Sequence, residues 1–557
     1  MSPWEALDPL SVSFADMLRR RSSVEDDELL LAGALACWAP SAGHTCVDLA
    51  RVSEHLLDED DKPLQWPSVE DWAAKVGAWT EVVRRPDEDR RAVLVLDGTG
   101  LYMERTWGHE QGIAEALVSR AAASARMSEK NARNLARQRW KEPSDQRQAA
   151  ELAIRSSLTV ITGGPGTGKT TMVASLLGLL GVEALSEGRR LRALLLAPTG
   201  KAQERLGQSV RENLQDPKWA PQHGAARVDL ECMTLHKGLG SMGLKRQFRH
   251  GPDHPIRADV VVLDEASMVD AGMMARLLAA VPSSARLILL GDPSQLQAVD
   301  YGSVLGDICE AIGPVGDCVA RLTQSFRTGA ESRIRVLDAA IRKGDSAGAL
   351  ELFEGDVDEV VRLGRSWQPA IRERLVATWA EVRDADSPAA ALKAQRGLGL
   401  LCAHRSGHRG VSGLNEAAET WLQQAGLIDP REPWYEGRPV MVLRNDKGVD
   451  LRNGQVGLVH GGQVWFDPDN PRALTPGMLP EHTTCFAMTV HKSQGSEFDE
   501  VFVVLPTKTT QLTTRQLLYT AVTRAKVKVT VVGPKEVVAE AVATEARRMS
   551  GLPSRLC

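Results

Sequence analysis

Apolar and polar positions change rhythm at about residue 146. Before that point, residues 1 to about 125 read mostly as helix-period segments closing in a short strand pair around 91–96 and 100–105. A basic, Ala-rich stretch over 120–141 then leads to Pro143, where the helical pattern breaks. From Gln146 onward, short apolar runs at 158–162, 193–197, 260–263 and 286–290 are each followed by a helix-like segment. Continuous apolar runs of this length are buried strands of a parallel sheet, with the intervening helices as crossovers. Each run ends in a polar motif, and ligands of open α/β sheets sit outside the carboxyl ends of the strands. The four motifs are therefore expected at one site.

Past residue 327 a helical region is predicted to about 394, and 399–403 opens a second strand set. The segments 438–443, 454–460 and 463–466 read as short strands split by Gly and Asp/Asn turns, a small β-barrel inserted at about 430–482. The parallel pattern resumes at 485–490, 500–505 and 528–532. At 557 residues the chain exceeds what one core organises. The division expected is an N-terminal module over 1–125, a first nucleotide domain over 126–330 and a second over 331–557.

Composition narrows this only slightly. An apolar share of 43% with 25% charged residues is ordinary for a globular protein, and a net charge of −5 gives no bulk basic signature. Any nucleic acid must therefore be held by a local groove. The eight cysteines include no C-x-x-C pair and read as free thiols in a reducing cytoplasm, not as zinc ligands. No N-terminal leader pattern and no run of about 18 apolar residues is present, so no membrane association is expected. Trp4, Trp38, Trp66, Trp72, Trp79 and Trp107 concentrate six of the 13 tryptophans in the first module, as core packing or as a docking surface.

The run Gly163-Gly164-Pro165-Gly166-Thr167-Gly168-Lys169-Thr170 follows a predicted strand and opens a predicted helix. Glycines there let backbone N–H groups reach phosphate oxygens, and the helix N-terminus favours negative charge. Lys169 is expected at the β- and γ-phosphates of ATP, the Thr170 hydroxyl at Mg²⁺, and Thr171 with the loop in binding the nucleotide. Asp264-Glu265 ends the next motif-bearing strand, where Asp264 would hold the metal through water and Glu265 would orient and deprotonate the attacking water. Gln295, in Gly291-Asp292-Pro293-Ser294-Gln295, is placed as a γ-phosphate sensor. Positive charge on the transferring phosphoryl group would come from Arg327 or Arg524.

In order, these segments resemble a superfamily 1 helicase. The set adds Leu196-Ala197-Pro198-Thr199-Gly200-Lys201-Ala202, Thr234-Leu235-His236, Thr489-Val490-His491-Lys492-Ser493-Gln494-Gly495-Ser496-Glu497 and Tyr519 to Lys526, covering Gln146 to about Gly533. Within that superfamily Asp264-Glu265-Ala266-Ser267-Met268-Val269-Asp270, Trp434-Tyr435-Glu436-Gly437-Arg438-Pro439-Val440, Arg444-Asn445-Asp446 and Arg547-Arg548-Met549-Ser550-Gly551-Leu552 are similar to the RecD family, the alpha subunits of exodeoxyribonuclease V. The resemblance implies an α/β fold of two RecA-like P-loop NTPase domains, an SH3-like β-barrel insertion and a mostly helical, partner-docking N-terminal domain. It also implies ATP-dependent 5′-to-3′ movement on single-stranded and duplex-end DNA, RecB-like and RecC-like partners, and a role in double-strand break repair and homologous recombination.

Roles carried over at matching positions are Gln146 for the adenine edge and Glu497 for the ribose; Gln146 can also be read as a capping or surface residue. Thr199, Lys201, Thr234, His236, Thr489, His491 and Lys492 are expected to line the DNA channel or couple it to ATP. The stretch Lys245-Arg246-Gln247-Phe248-Arg249-His250, near a hairpin expected at 245–255, is a strand separator or a solvated loop. A stand-alone helicase of the same branch and a structural subunit with a regulatory ATP site are the alternatives. Asp216-Pro217-Lys218 fits a nuclease fragment only formally, and cleavage is assigned to the RecB-like subunit.

Overall fold

The computed structural model describes residues 3–56, 64, 66–215, 228–243, 247–324, 326, 332–354 and 358–557. Arg327, Lys245, Arg246 and Asp216-Pro217-Lys218 lie outside the described residues.

Six strands form the first sheet, in the order Val319–Leu322, Leu158–Gly163, Arg286–Gly291, Val260–Leu263, Leu191–Ala197, Val228–Thr234, and every pairing is parallel. The four strands that the apolar runs predict are the central ones. The two edge strands escape that pattern because they are covered less completely: most of Val228–Thr234 and Val319–Leu322 is only partly buried or exposed. Period-two alternation sends Val160, Val261 and Leu263 into the core on one face of the sheet and Ile161, Val260 and Val262 into the core on the other. Helix Lys169–Ser186 packs into the second of these cores, which is why it is apolar nearly all round. Among the described residues it is the one helix long and apolar enough to cross a membrane, and here it is a sheet-covering helix.

The second sheet is also parallel throughout, in the order Val360–Leu363, Ala525–Val532, Phe498–Val504, Leu398–Cys402, Ala487–Thr489. Val360–Leu363 corrects the expectation of continuous helix from 327 to 394. Only Val360 of this edge strand is fully buried, so it lacks the apolar run that marks a central strand. These two sheets with their helices are called the first and second lobes below.

Between strands of the second lobe, five antiparallel strands pair in the order Arg472–Leu474, Gln463–Phe466, Val456–His460, Pro439–Val442, His482–Thr484. They enclose a separate small core that includes Val440, Val442, Val459, Val464 and Phe466. The first and last strands of this order are not paired with each other, so the expected barrel is observed as an open five-stranded sheet.

The N-terminal module combines helices Pro9–Ser22, Asp27–Ser41 and Val69–Gly77 with a four-stranded sheet, in the order Val47–Asp48, Gly100–Met103, Leu94–Asp97, Val83–Arg84. Asp8 and Asp26 cap the first two helices; Asp8 accepts from Leu10 N at 2.9 Å and Ser11 N at 3.0 Å. The strand pair at the end of the module is as the sequence predicts, whereas the two-residue strands are too short to leave a pattern. Trp72 and Trp79 are buried, and Trp4, Trp38, Trp66 and Trp107 pack around the same core, which is the packing reading of the tryptophans.

Helix Glu104–Ala121 spans the two parts: Trp107 in its first turn packs on the module's core, while Ile113, Ala114 and Leu117 enter a core of the first lobe. Arg120 fastens it there, donating to Val281 O at 2.6 Å, Pro282 O at 3.1 Å and Ala285 O at 3.2 Å. A return connection is made by the segment after helix Lys535–Ala543. It leaves the second lobe, buries Met549 in the N-terminal core, and ends with Leu552 and Leu556 in the core of the first lobe.

Candidate nucleotide site and interlobe cleft

The strand Leu158–Gly163 ends in the middle of the first sheet and turns directly into helix Lys169–Ser186. The turn demands glycine: Gly168 has φ of 77°, and a Cβ on Gly163 would stand 2.8 Å from Leu322 O. Thr167 Oγ1 donates to Gly164 O at 2.9 Å, and Lys169 Nζ folds back onto Gly163 O and onto Gly164 O at 3.1 Å. Pro165 and Gly166 form the tip of this loop, while Thr170 and Thr171 occupy the first helical turn. Gln146, on helix Asp145–Arg155, lies against the same loop, donating to Thr167 O at 3.2 Å and accepting from Trp140 Nε1 at 3.1 Å. Phe326 also joins it: its N–H donates to Gly166 O at 2.8 Å, and its ring is 62% exposed beside Gly168. Sequence reasoning passed over Phe326, although an aromatic beside Arg327 was the available signal.

Asp264 and Glu265 follow Val260–Leu263 at the carboxyl end of the neighbouring strand. Glu265 has φ of 50°, an unfavourable conformation for a residue with a side chain, and donates its N–H to Asp264 Oδ1 at 2.9 Å. The Asp264 carboxyl is raised above its ordinary pKa by desolvation and by the adjacent Glu265 carboxylate, with Lys169 pulling the other way.

Gln295 is buried, and its partners cross to the second lobe. Its Oε1 accepts from Arg524 Nη2 at 3.2 Å and its Nε2 donates to Asp292 Oδ2 at 3.3 Å. That same Asp292 oxygen accepts from the Tyr519 hydroxyl at 2.7 Å, and Leu296 N donates to Thr520 Oγ1 at 2.8 Å. Tyr519 and Thr520 lie on helix Arg515–Val522, with Arg524 just beyond it, so one short segment of the second lobe grips one loop of the first. Arg524 is 4% exposed; burial lowers its pKa, while Glu265 and Glu497 oppose that shift.

A second row of contacts runs beside the first. Lys201 Nζ bonds Ser496 Oγ, Arg205 pairs with Glu497, and Arg452 Nη1 donates to Gly200 O at 2.6 Å. Desolvation lowers Lys201 to about 8, with Arg396 and Arg205 adding to the effect. Lys201 thus lies in the cleft between the lobes, joined to the second one. Arg205 and Arg452 are interlobe residues that no sequence pattern distinguished from surface charge.

Thr199, Thr234 and Thr489 share one local design, each at or just past the end of a strand and capping the helical turn after it. Their Oγ1 atoms accept from Ala202 N at 3.2 Å, Lys237 N at 3.4 Å and Lys492 N at 3.3 Å. His236 is exposed next to Phe248. Backbone bonds Met242 N to Gln247 O and Arg249 N to Gly240 O make a short antiparallel pairing there, slightly ahead of the hairpin expected at 245–255. His491 is lowered by burial and by Arg405, and Lys492 likewise; Lys492 Nζ donates to Asn453 Oδ1 at 2.7 Å. Arg405, exposed beside this pair, is a further basic residue that sequence reasoning missed.

Comparisons with known proteins agree with this layout. A model of the N-terminal domain of RecBCD enzyme subunit RecD matches residues 4–102, an AAA domain model matches 143–361, and a UvrD-like helicase C-terminal domain model matches 484–532. The chain is similar to the RecBCD enzyme subunit RecD of Mycobacterium tuberculosis, 39% identical over 99% of this chain and 95% of that one. It is 32% identical to the Haemophilus influenzae RecBCD enzyme subunit RecD, over 94% and 92% of the two chains. Similarity to the ATP-dependent RecD2 DNA helicase of Deinococcus radiodurans is also 32% but spans 66% of this chain and 46% of that protein. With full-length similarity to RecD subunits and a match to their N-terminal domain, the chain belongs to the RecD family of superfamily 1 helicases.

Proposed function

We propose that the chain is the ATP-driven 5′-to-3′ DNA helicase subunit of a RecBCD-type exodeoxyribonuclease V, acting with RecB-like and RecC-like partners in the cytoplasm on the DNA ends of double-strand breaks. The observation that carries this reading is the convergence of Lys169, Glu265, Gln295 and Arg524 where the first lobe meets the second. In this reading 1–103 is a partner-docking module extended by helix Glu104–Ala121 onto a first motor domain reaching about 330, and 331–557 is the second motor domain.

ATP would lie with its phosphates in the 163–168 loop, Lys169 on the β- and γ-oxygens, and its base between Gln146 and the exposed Phe326 ring. The donor set fits a hard divalent cation: a Thr170 hydroxyl at the helix start and the oxygen ligands of the adjacent Asp264 and Glu265 carboxylates at the end of the neighbouring strand. Mg²⁺ held there would neutralise charge on the β- and γ-phosphates. Glu265 would orient and deprotonate the attacking water, and Arg524 would meet the charge developing on the γ-phosphoryl group. Gln295 would report its departure to the second lobe. Arg327 remains a proposed second arginine, and Glu497 a proposed ribose contact once released from Arg205. Thr199, Lys201, Thr234, His236, Thr489, His491 and Lys492, with Arg405, would form or couple to the DNA track. Alternating closure of the lobes then moves the strand, because only affinities that differ between nucleotide states can drive a cycle.

Lys169→Gln in the assembled complex is expected to leave the fold intact and to abolish turnover stimulated by single-stranded DNA; near wild-type turnover would refute the site. Polarity is read by unwinding duplexes with a single 5′ or 3′ overhang, where preference for the 3′ form contradicts the proposal.

A further inference from the structure

The loop that follows Gln295 is held from behind by a residue outside every nucleotide motif. Arg548, in the segment returning from the second lobe, spreads its guanidinium over three backbone carbonyls of this loop. Nη1 donates to Asp300 O at 2.5 Å and Gly302 O at 2.9 Å, and Nη2 to Ala298 O at 2.5 Å. Gln297 Nε2 adds a bond to Ala546 O at 3.2 Å. Three carbonyls at different angles call for a planar group with several fixed donors, which an ammonium does not offer.

The N-terminal module reaches the same loop. Gly302 N donates to Gly43 O at 2.9 Å, and Gly43 adopts φ of 91° in a turn where a Cβ would lie 3.0 Å from Arg548 Cζ. The neighbouring residues fix the returning segment to the module: Thr45 N donates to Met549 O at 3.0 Å and Met549 N to His44 Nδ1 at 3.0 Å. The loop is tied further by Ala271 N to Tyr301 O at 3.0 Å, by the Tyr301 hydroxyl at 2.8 Å from His109 Nδ1 and by Gln494 Nε2 to Leu296 O at 3.4 Å, and Val299 is exposed. From Ala298 it is three residues to Gln295 and its bond to Arg524.

We propose that Arg548 is a positioning residue for the ATP sensor: by clamping 298–302 against the N-terminal module it sets Gln295 opposite Arg524, so that the seating of that module is felt where the lobes meet. This rests on the reading of Gln295 as the γ-phosphate sensor. The structure offers a continuous covalent and hydrogen-bonded route for it, from Gly43 through Gly302 and Ala298 to Gln295.

The test uses the full chain in complex with its natural partners, measuring DNA-stimulated ATP turnover and amide hydrogen exchange. Arg548→Ala is expected to lower kcat about tenfold to a hundredfold with KM for ATP little changed, the scale of a misplaced catalytic group. Faster exchange should be confined to 296–303. Arg548→Lys should fall between. Arg547→Ala is the control, since that exposed guanidinium pairs with Glu545. Unchanged kcat in Arg548→Ala, a change confined to KM, or faster exchange throughout both parallel sheets would overturn the proposal. A wild-type complex without DNA-stimulated turnover would remove the motor reading itself, which is a separate failure.

Discussion

Arg524 and Gln295 face one another directly, and the guanidinium also donates to Thr520 O at 3.0 Å. Any γ-phosphate that takes up both side chains must therefore break bonds the two lobes already share, which ties nucleotide entry to a change at the interface. Tyr519 steadies this arrangement: burial raises its pKa well above the ordinary phenol value, so its O–H remains a donor to Asp292 at working pH. Tyr519→Phe keeps the ring but leaves Asp292 Oδ2 with the Gln295 amide alone at 3.3 Å. Loss of a donor to a buried carboxylate costs about 1–3 kcal/mol. The thermal midpoint of the motor should fall accordingly, and an unchanged midpoint would show the bond to be replaceable. Residues of this kind mark the limit of sequence reading. Lys169 and Glu265 are legible because phosphate chemistry ties a residue type to a place in a strand–loop–helix unit. Nothing local to Tyr519 or Arg548 announces partners that lie 227 and 246 positions away.

At the scale of elements, helix Val304–Glu310 continues from the loop that Arg548 clamps and carries Asp307, whose Oδ2 lies 2.9 Å from Ser550 Oγ and donates to it when protonated. Burial raises the Asp307 pKa to about 7; Glu110 and Glu310 add to that, and Ser550 and Arg548 oppose it. Between the ordinary 3.8 and about 7 the folded protein holds a proton that the unfolded chain has released, so this stabilisation is full at low pH and is lost as pH rises through about 7. His44, lowered to about 3 by burial, works in the opposite sense, because the unfolded chain takes up its proton first as pH falls below 6.5. Asp307→Asn mimics the protonated acid and leaves the His44 contribution in place. Its thermal midpoint should exceed the wild type's by a margin that widens from about pH 5 to about pH 8; a margin independent of pH would refute the account. The sequence announces such elements unevenly. Central strands declare themselves because both faces are covered, while Val228–Thr234, Val319–Leu322 and Val360–Leu363 are edge strands with too few buried positions to do so.

For the whole molecule, the returning segment decides how the parts are held together. Buried Glu110 accepts from Ser550 Oγ at 2.8 Å and Arg555 Nη1 at 2.8 Å, and Arg555 Nη2 donates to Asp97 Oδ2 at 2.6 Å. Leu552 and Leu556 are almost fully buried, worth about 1.5–3 kcal/mol each. Deleting 552–557 should therefore loosen the N-terminal module from the first lobe, measured as faster proteolysis between residues 122 and 128, where helix Glu104–Ala121 has ended. Cleavage at the wild-type rate would mean that Arg120 and its carbonyl partners suffice. This arrangement was not legible in advance: the Arg547-to-Leu552 stretch shows family wording but no periodicity, so its likeness was visible and its place was not. It also orders events during synthesis. Thr45 and Met549 are 504 positions apart, about 25–100 s of ribosome time at roughly 5–20 residues per second. Until Met549 is made, the first-born core lacks one of its packing residues, and any nascent chain that stops early never supplies it.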